Sequence, residues 1–307
     1  MLTLFTTAKP FEGHSGIIQR NALKSWKMLH PEVEVILFGD ELGAKDVSLE
    51  LGLRHEPNVR RHESGMKHLD YLFARAQEIG SHPHLCYSNC DIILMRDFWE
   101  GFQKTLEWKQ SFLLVAQRWD TDVTWKLDFG GEAWEQQLRQ LALSKGMRQT
   151  YDFVDFFVFR KGLYDRVPPF LLGRSYWDSW LVWKALSTPV PVVDGTDFFV
   201  AVHQNHDYSY HPQGKKGTNE DALAMRNRNL AGSGAELRTL VDATHKLTRE
   251  GEVRRVRFRK QINDPRVRNV WQSAVESSFE VRKRLGLRRE MLRKVFATLR
   301  HTDAGNG

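Results

Sequence analysis

Two kinds of apolar run alternate along the first 193 residues, and this alternation restricts the possible folds more than any other feature. Leu2–Thr7, Val33–Phe38, Phe112–Ala116, Phe153–Phe159 and Val190–Val193 have the length and the β-branched and aromatic content of buried strands. Between them, Gly16–Leu29, Met66–Ile79, Trp134–Lys145 and Trp177–Leu186 carry apolar residues at helical spacing, as Ile17, Ile18, Ala22, Leu23 and Trp26 do in the first. A further helix is expected from Asp97, read as an N-cap ahead of Phe98 and Trp99. Short connections between strand and helix predict a mostly parallel α/β sheet with both faces covered. After Val193 the periodicity fades, and Asp194–Gly234 is rich in Gly, Asn and His.

A chain of 307 residues with 41% hydrophobic content can bury a core of that kind. Mean hydropathy is −0.50, and no apolar run approaches the roughly 18 residues that would span a bilayer. The first residues, MLTLFTTAKP, lack the basic and long apolar segments of a secretion signal and read as a first strand. The two cysteines, Cys86 and Cys90, lie in one strand-like run, which supports neither a disulfide framework nor a zinc knuckle and suits a reducing cytoplasm. Charge divides the chain. Residues 1–250 hold 30 Lys and Arg against 32 Asp and Glu, whereas residues 251–307 hold 15 against 6, so the net +7 belongs to the tail.

Within Leu85–Leu94, LCYSNCDIIL, one apolar run stops at Asn89-Cys90-Asp91 and a second starts at once. The pattern reads as strand, acid at the strand's carboxyl end, strand again. An aspartate at that edge suits a divalent cation that must also reach a diphosphate; turn chemistry is the plainer alternative. Thr6, Thr7 and Lys9 follow the first strand at the same edge, and Asp40 ends the second, where it also reads as a turn or cap residue after Gly39. Lys67 and Arg75 read as a solvated helix face, with contact to the diphosphate as the alternative. His203, His206, Asp207 and His211 form the densest cluster of ligand-type side chains. Two histidines three apart face one ion only in a helical or tightly turned segment. One of His203 and His206 is therefore the expected ligand, the other packing or meeting phosphate.

The order of these features resembles that of the GT-A nucleotide-diphospho-sugar transferases, specifically a poorly characterised bacterial and plant group of that fold. The residues carrying the resemblance are FTTAKPFEGHSGIIQRNALKSW, VILFGDELG, YSNCDIIL, VDFFVFRKGLY, PPFLLGRSYWDSWL and VVDGT with VHQNHDYSYH. They span most of residues 1–211, and DATHKL at 242–247 extends the match. The resemblance implies a GT-A, Rossmann-like domain over residues 1–250, a mostly parallel sheet flanked by helices, with a basic helical C-terminal extension over 251–307. It implies a glycosyltransferase moving a hexosyl or related sugar from a nucleotide-sugar donor to a hydroxyl of a glycan or glycolipid acceptor, as in polysaccharide biosynthesis, with Mn²⁺ or Mg²⁺ as cofactor.

By the same resemblance, Thr6, Thr7, Lys9, Asp40 and Asn89 hold the nucleotide, and Asp91 with His203 and His206 supplies the metal ligands. Asn89 stands where the family's Asp-x-Asp signature has its first carboxylate. Asp155, Trp177 and Trp180 line the acceptor site. Asp178 matches the Asp of the family's Glu-Asp pair, Trp177 replacing the Glu, and is the expected base of an inverting displacement. Its neighbouring tryptophans would desolvate it and offer a sugar-stacking face; a helix-dipole carboxylate is the plainer alternative.

A literal Asp-x-Asp stands elsewhere, at Asp120-Thr121-Asp122, ahead of a Trp-rich loop. It is a rival metal site, an acceptor contact or a solvated loop. In the tail, Val267, Val270, Trp271, Ala274, Val275 and Phe279 recur at helical spacing after Pro265, with Arg and Lys on the other face. Such a helix packs on the core or lies on the anionic inner face of the membrane; nucleic acid is not an expected partner. Two other functions fit the pattern less fully. One is a catalytically inactive GT-A-fold binding protein, suggested by Asn89. The other is a sugar-phosphate nucleotidyltransferase, which would want more than Lys9 in the loop after the first strand.

Overall fold

The six residues of β1 (Leu2–Thr7) run inside the sheet, third from one edge, and alternate between its faces. Leu2 and Leu4 point to one side, where α1 (Gly13–Lys27) and α4 (Arg96–Trp108) bury Ala22, Leu23, Trp26, Phe98 and Phe102. Phe5 points to the other side, into Leu69, Leu72 and Phe73 of α3 (Leu69–Ile79) and the apolar side of α6 (Trp177–Leu186). Each of these large side chains contributes about 1.5–3 kcal/mol by leaving water. A two-faced core of this kind requires apolar residues on both sides of the central strands, which explains why they read as continuous apolar runs.

The computed structural model describes residues 1–256 apart from 132, 208–217, 233 and 235. His211 and the tail helix expected after Pro265 lie outside the described residues. The main sheet has nine strands in the order β13-β12-β10-β6-β9-β4-β1-β2-β3. These are β2 (Glu34–Phe38), β3 (Arg54–Glu56), β4 (His84–Ser88), β6 (Leu113–Val115), β9 (Phe156–Arg160), β10 (Val192–Asp194), β12 (His245–Leu247) and β13 (Val253–Arg255) around β1. β4, β1, β2 and β3 pair in parallel, as do β6, β10 and β12. β9 runs antiparallel between β4 and β6, so its first residues reach the edge where β4 ends. A second sheet has the order β5-β11-β7-β8, from β5 (Ile92–Ile93), β11 (Ala201–Gln204), β7 (Arg118–Thr121) and β8 (Met147–Arg148). It packs with α5 (Trp134–Lys145) around Ile93, Met95, Trp134, Leu138 and Val202. Two more helices, α2 (Ala44–Leu51) and α7 (Ala222–Ala231), complete the described elements apart from a 3-10 turn at Leu240–Asp242.

The expected mostly parallel α/β architecture is present. Three local expectations change. Asp97 is not the N-cap of α4, which starts at Arg96 with Met95 as cap; its carboxylate instead accepts from the Phe98 and Val200 N–H groups and pairs with Arg139. The stretch 194–234 contains β11 and α7, both too short or too polar to show a period. Residues 253–255 form an edge strand of the main sheet, paired antiparallel with β12.

Candidate active site

The triplet Asn89-Cys90-Asp91 lies where the chain leaves the large sheet at β4 for the small sheet at β5. This crossing brings three distant segments together. β5 pairs antiparallel with β11, setting His203 opposite Ile92, and β7 pairs parallel with β11, setting Asp120 opposite His203. Gln204, fully buried, ties the crossing to α1. Its Nε2 donates to the carbonyls of Ile18 and Asp91, and its Oε1 accepts from Asn21.

At this junction the ligand atoms of Asp91, His203 and His206 all lie within 4.8 Å of one another. Asp91 Oδ2 is 3.1 Å from His206 Nε2 and 3.8 Å from His203 Nε2. Asp91 Oδ1 is buried with no hydrogen-bond partner, an arrangement that costs free energy unless something else satisfies the oxygen. Burial pushes the Asp91 carboxyl up, but His203 and His206 more than offset it and hold it well below the usual carboxylate range. Its hydrogen bond to Asp91 raises the His206 imidazole above its ordinary value. One carboxylate and two imidazoles whose ligand atoms converge in this way, with a second carboxylate oxygen left without a hydrogen-bond partner, form a donor set that fits a divalent ion of the Mn²⁺ class. Both histidines reach the point because β11 ends at Gln204 and the chain turns directly afterwards. A helix is not needed.

A cleft of about 500 Å³ opens on this cluster. Its lining includes Thr7, Lys9, Glu41, Arg61 and Lys67, Asn89, Arg118 and Asp155, and Arg174, Trp177 and Asp178. Burial lowers the Lys9 ammonium, against the pull of Asp91 and Asp207. Lys67, expected on a solvated helix face, is buried; it donates to the Ala8 carbonyl and pairs with Glu41. Arg75 is on the surface, paired with Glu56 and Glu78.

Asp40 does not line the cleft. It is exposed, 2.5 Å from Arg61, and the next residue, Glu41, takes the inner position. Glu41 Oε1 meets Lys67 and Arg61, whereas its buried Oε2 has no hydrogen-bond partner. Gly39 permits this placement: its φ is +105°, and a Cβ there would lie 2.3 Å from Glu41 Oε2. Thr6 is fully buried and donates to the Thr7 carbonyl, so Thr7 is the one of the pair that faces the cleft.

Asn89 is engaged on every side. Its Oδ1 accepts from Tyr87 Oη, its Nδ2 donates to Asp155 Oδ1 at 2.7 Å, and its backbone N–H donates to the Asp155 carbonyl. Asp155 Oδ2 accepts from Arg118 at 2.7 Å. Burial opposes the Arg118 charge, but Asp155 and Asp120 raise its pKa above the ordinary guanidinium value. Asp178, in the first turn of α6, is pushed by burial up to about 6, against its bond from the Ser179 N–H and helped by the nearby Asp155 charge. Trp177 stacks edge-on with Tyr87 in the cleft wall, but Trp180 points away, packed on Phe170 and Trp183 in the core. Tyr176, just before α6, has φ +85°, the one non-glycine residue with a positive φ among those described. That strained turn sets the direction from which Trp177 and Asp178 enter the cleft.

Arg118, Glu41, Arg61 and Arg174 lack a sequence signal of their own. Arg118 belongs to a four-residue strand and the others to loops or a turn, where neither period nor motif marks a side chain as facing inward.

No protein-family model matches the sequence, and no curated protein matches it. Among solved structures, the chain is similar to residues 1–349 of S. aureus TarS (TM-score 0.44, 12% identity over 66% of this chain and 60% of that one). The same protein in complex with UDP-GlcNAc gives a TM-score of 0.45 at 10% identity, over 67% and 58%. Glucosyl-3-phosphoglycerate synthase from Mycobacterium tuberculosis, in complex with Mg²⁺ and UDP, gives 0.43 at 12% identity, over 77% and 79%. The chain thus spans 60% of the length of the first of these structures. These likenesses concern chain path and assign no residue a role.

Proposed function

We propose that this protein is a metal-dependent glycosyltransferase of the GT-A fold, using a nucleoside-diphosphate sugar. The observation that carries the reading is the meeting of Asp91, His203 and His206, their ligand atoms within 4.8 Å of one another, in a cleft also lined by Lys9, Lys67 and Arg61. Asp91, His203 and His206 would hold Mn²⁺ or Mg²⁺, and two imidazoles among three protein ligands favour Mn²⁺ over the oxygen-seeking Mg²⁺. When bound, such an ion supplies charge neutralisation for a departing diphosphate. The remaining chemistry belongs to the side chains. Lys9 stands on the phosphate side of Asp91. Glu41 offers Oε2 to an N–H or hydroxyl of the nucleoside, in the role first expected of Asp40. Asp178 sits across the cleft in a desolvated place, and a carboxyl near pKa 6 is ionised at neutral pH yet basic enough to take a hydroxyl proton as the acceptor attacks. Trp177 gives that acceptor an apolar wall. An inverting, single displacement is the course that would use Asp178 as such a base.

The test is thermal-shift screening of nucleoside diphosphates and their sugars with and without Mn²⁺, since a ligand that prefers the folded state stabilises it by mass action. Asp91→Ala should abolish the Mn²⁺-dependent part of any shift, because a carboxylate carries most of the ion's charge compensation. A shift that survives Asp91→Ala but disappears in Asp122→Ala would move the metal to the rival triplet. The basic tail, residues 251–307, would hold the enzyme against the anionic inner leaflet near a lipid-linked or envelope acceptor, a placement supported by its charge and its periodic apolar stripe.

A further inference from the structure

We propose that Asp120-Thr121-Asp122 is the bracket that positions the two histidines of the metal site, and is not itself a metal site. The proposal rests on the metal reading of Asp91, His203 and His206. β7 and β11 lie side by side in parallel with Asp120 opposite His203 and Thr121 opposite Gln204. Each position of the triplet touches the histidine segment. Asp120 Oδ1 lies 3.1 Å from His203 Nδ1. The Thr121 carbonyl accepts the Asn205 N–H at 3.0 Å, and Asp122 Oδ1 accepts from Asn205 Nδ2 at 2.7 Å, next to His206.

The consequence is a choice of tautomer. With a carboxylate at Nδ1, the favoured neutral form of His203 carries its proton on Nδ1 and turns the lone pair of Nε2 toward Asp91. The Nδ1 contact is close but not aligned as a hydrogen bond, and a small turn of the ring would complete it. Asp120 is in turn fixed by Arg118 Nε at 2.8 Å and by Gln149 Nε2 at 2.7 Å on its other oxygen. It cannot swing into the cleft to become a ligand itself. On the His206 side, Nδ1 meets the Asp207 carbonyl at 2.7 Å and Nε2 faces Asp91. Both rings therefore turn Nε2 inward, one steadied directly by the triplet and the other through Asn205.

Titration of Mn²⁺ into the full chain, followed by the loss of the free-ion electron paramagnetic resonance signal, tests this. Asp120→Asn is expected to bind Mn²⁺ about 10–100-fold more weakly, the usual effect of removing a carboxylate behind a ligating histidine, and Asp122→Ala to show a smaller loss. Wild-type affinity in both variants would overturn the bracket. Failure of the wild type to bind Mn²⁺ would overturn the metal reading on which it stands, a separate result. Should Asp120→Asn not fold, the ¹⁵N spectrum of the metal-free wild type decides the matter: His203 protonated on Nδ1 supports the assignment, and protonation mainly on Nε2 overturns it.

Discussion

At the scale of single residues, Asp178 links stability and chemistry through one proton. Burial raises its carboxyl to about 6 from the ordinary aspartate value of 3.8, so the folded chain holds this proton more tightly than the unfolded chain does. The group therefore favours the fold most below pH 4, and that contribution is lost as pH rises through 6. Once ionised, Asp178 costs the fold up to about 3 kcal/mol. Asp178→Asn is accordingly expected to melt several degrees higher than wild type at pH 8 and at nearly the same temperature at pH 4, by calorimetry. The same variant should keep donor affinity and lose roughly 10²–10⁴ in transfer rate, while wild-type kcat should climb to a plateau above pH 6. Full activity in Asp178→Asn would remove it as the base. Asp91 at a strand end, Asp178 at a helix start and the two histidines were picked out in the sequence by the motifs around them, and the structure places all four in the lining of one cleft. Asp40 was read one residue early, because a Gly-Asp turn looks alike whichever of Asp40 and Glu41 turns inward, and only the positive φ of Gly39 decides it. Lys67 was misread because it stands just before a helix, where periodicity predicts exposure and the Glu41 pairing overrides it.

At the scale of elements, the long apolar strands and helices were legible because burial on both faces leaves a continuous signal, and Trp134–Lys145 and Trp177–Leu186 match the observed helices end to end. Of the small sheet only β5, the apolar run after Asp91, was legible. β5 and β8 have two residues each and β7 and β11 four, so their pairing is decided by tertiary partners that no local pattern encodes. Gln204 shows how that sheet is held. It bonds two backbone carbonyls and Asn21 with no water access. Gln204→Leu fills the same space but removes the acceptor of one Asn21 N–H, whose amide keeps its bond to the Trp125 carbonyl, and a donor to the Ile18 and Asp91 carbonyls. Each buried group left unpaired costs about 1–3 kcal/mol. The expected outcome is a loss of about 2–5 kcal/mol in urea unfolding, together with weaker Mn²⁺ binding, since the residue before Asn205 anchors the turn that carries His206. A variant equal to wild type in both respects would mean that β11 is held by its strand pairing alone.

At the scale of the whole molecule, Met1–Arg257 form one compact unit, and no helix among the described residues is long and apolar enough to cross a membrane. Deleting residues 264–307 is therefore expected to leave a folded protein with an unchanged nucleotide-dependent thermal shift that no longer sediments with anionic liposomes. Wild-type sedimentation should be released by salt, as basic residues near such a surface contribute about 1 kcal/mol each over a screened range. Wild type that ignores anionic liposomes at low salt would end the membrane placement. The junction where the chain passes from β4 to β5 has a consequence for how the protein is made. Asp91 and His206 stand 115 residues apart in sequence, and Asn89 and Asp155 stand 66 apart. During synthesis Asp91 leaves the ribosome long before either histidine exists, so a half-made chain offers a lone carboxylate and nothing able to retain an ion. The coordinating set closes only after β11 has been translated and has docked between β5 and β7. Any metal held by these three side chains is therefore taken up only after β11 has been made and docked, while an isolated early segment carrying Asp91 has no such set.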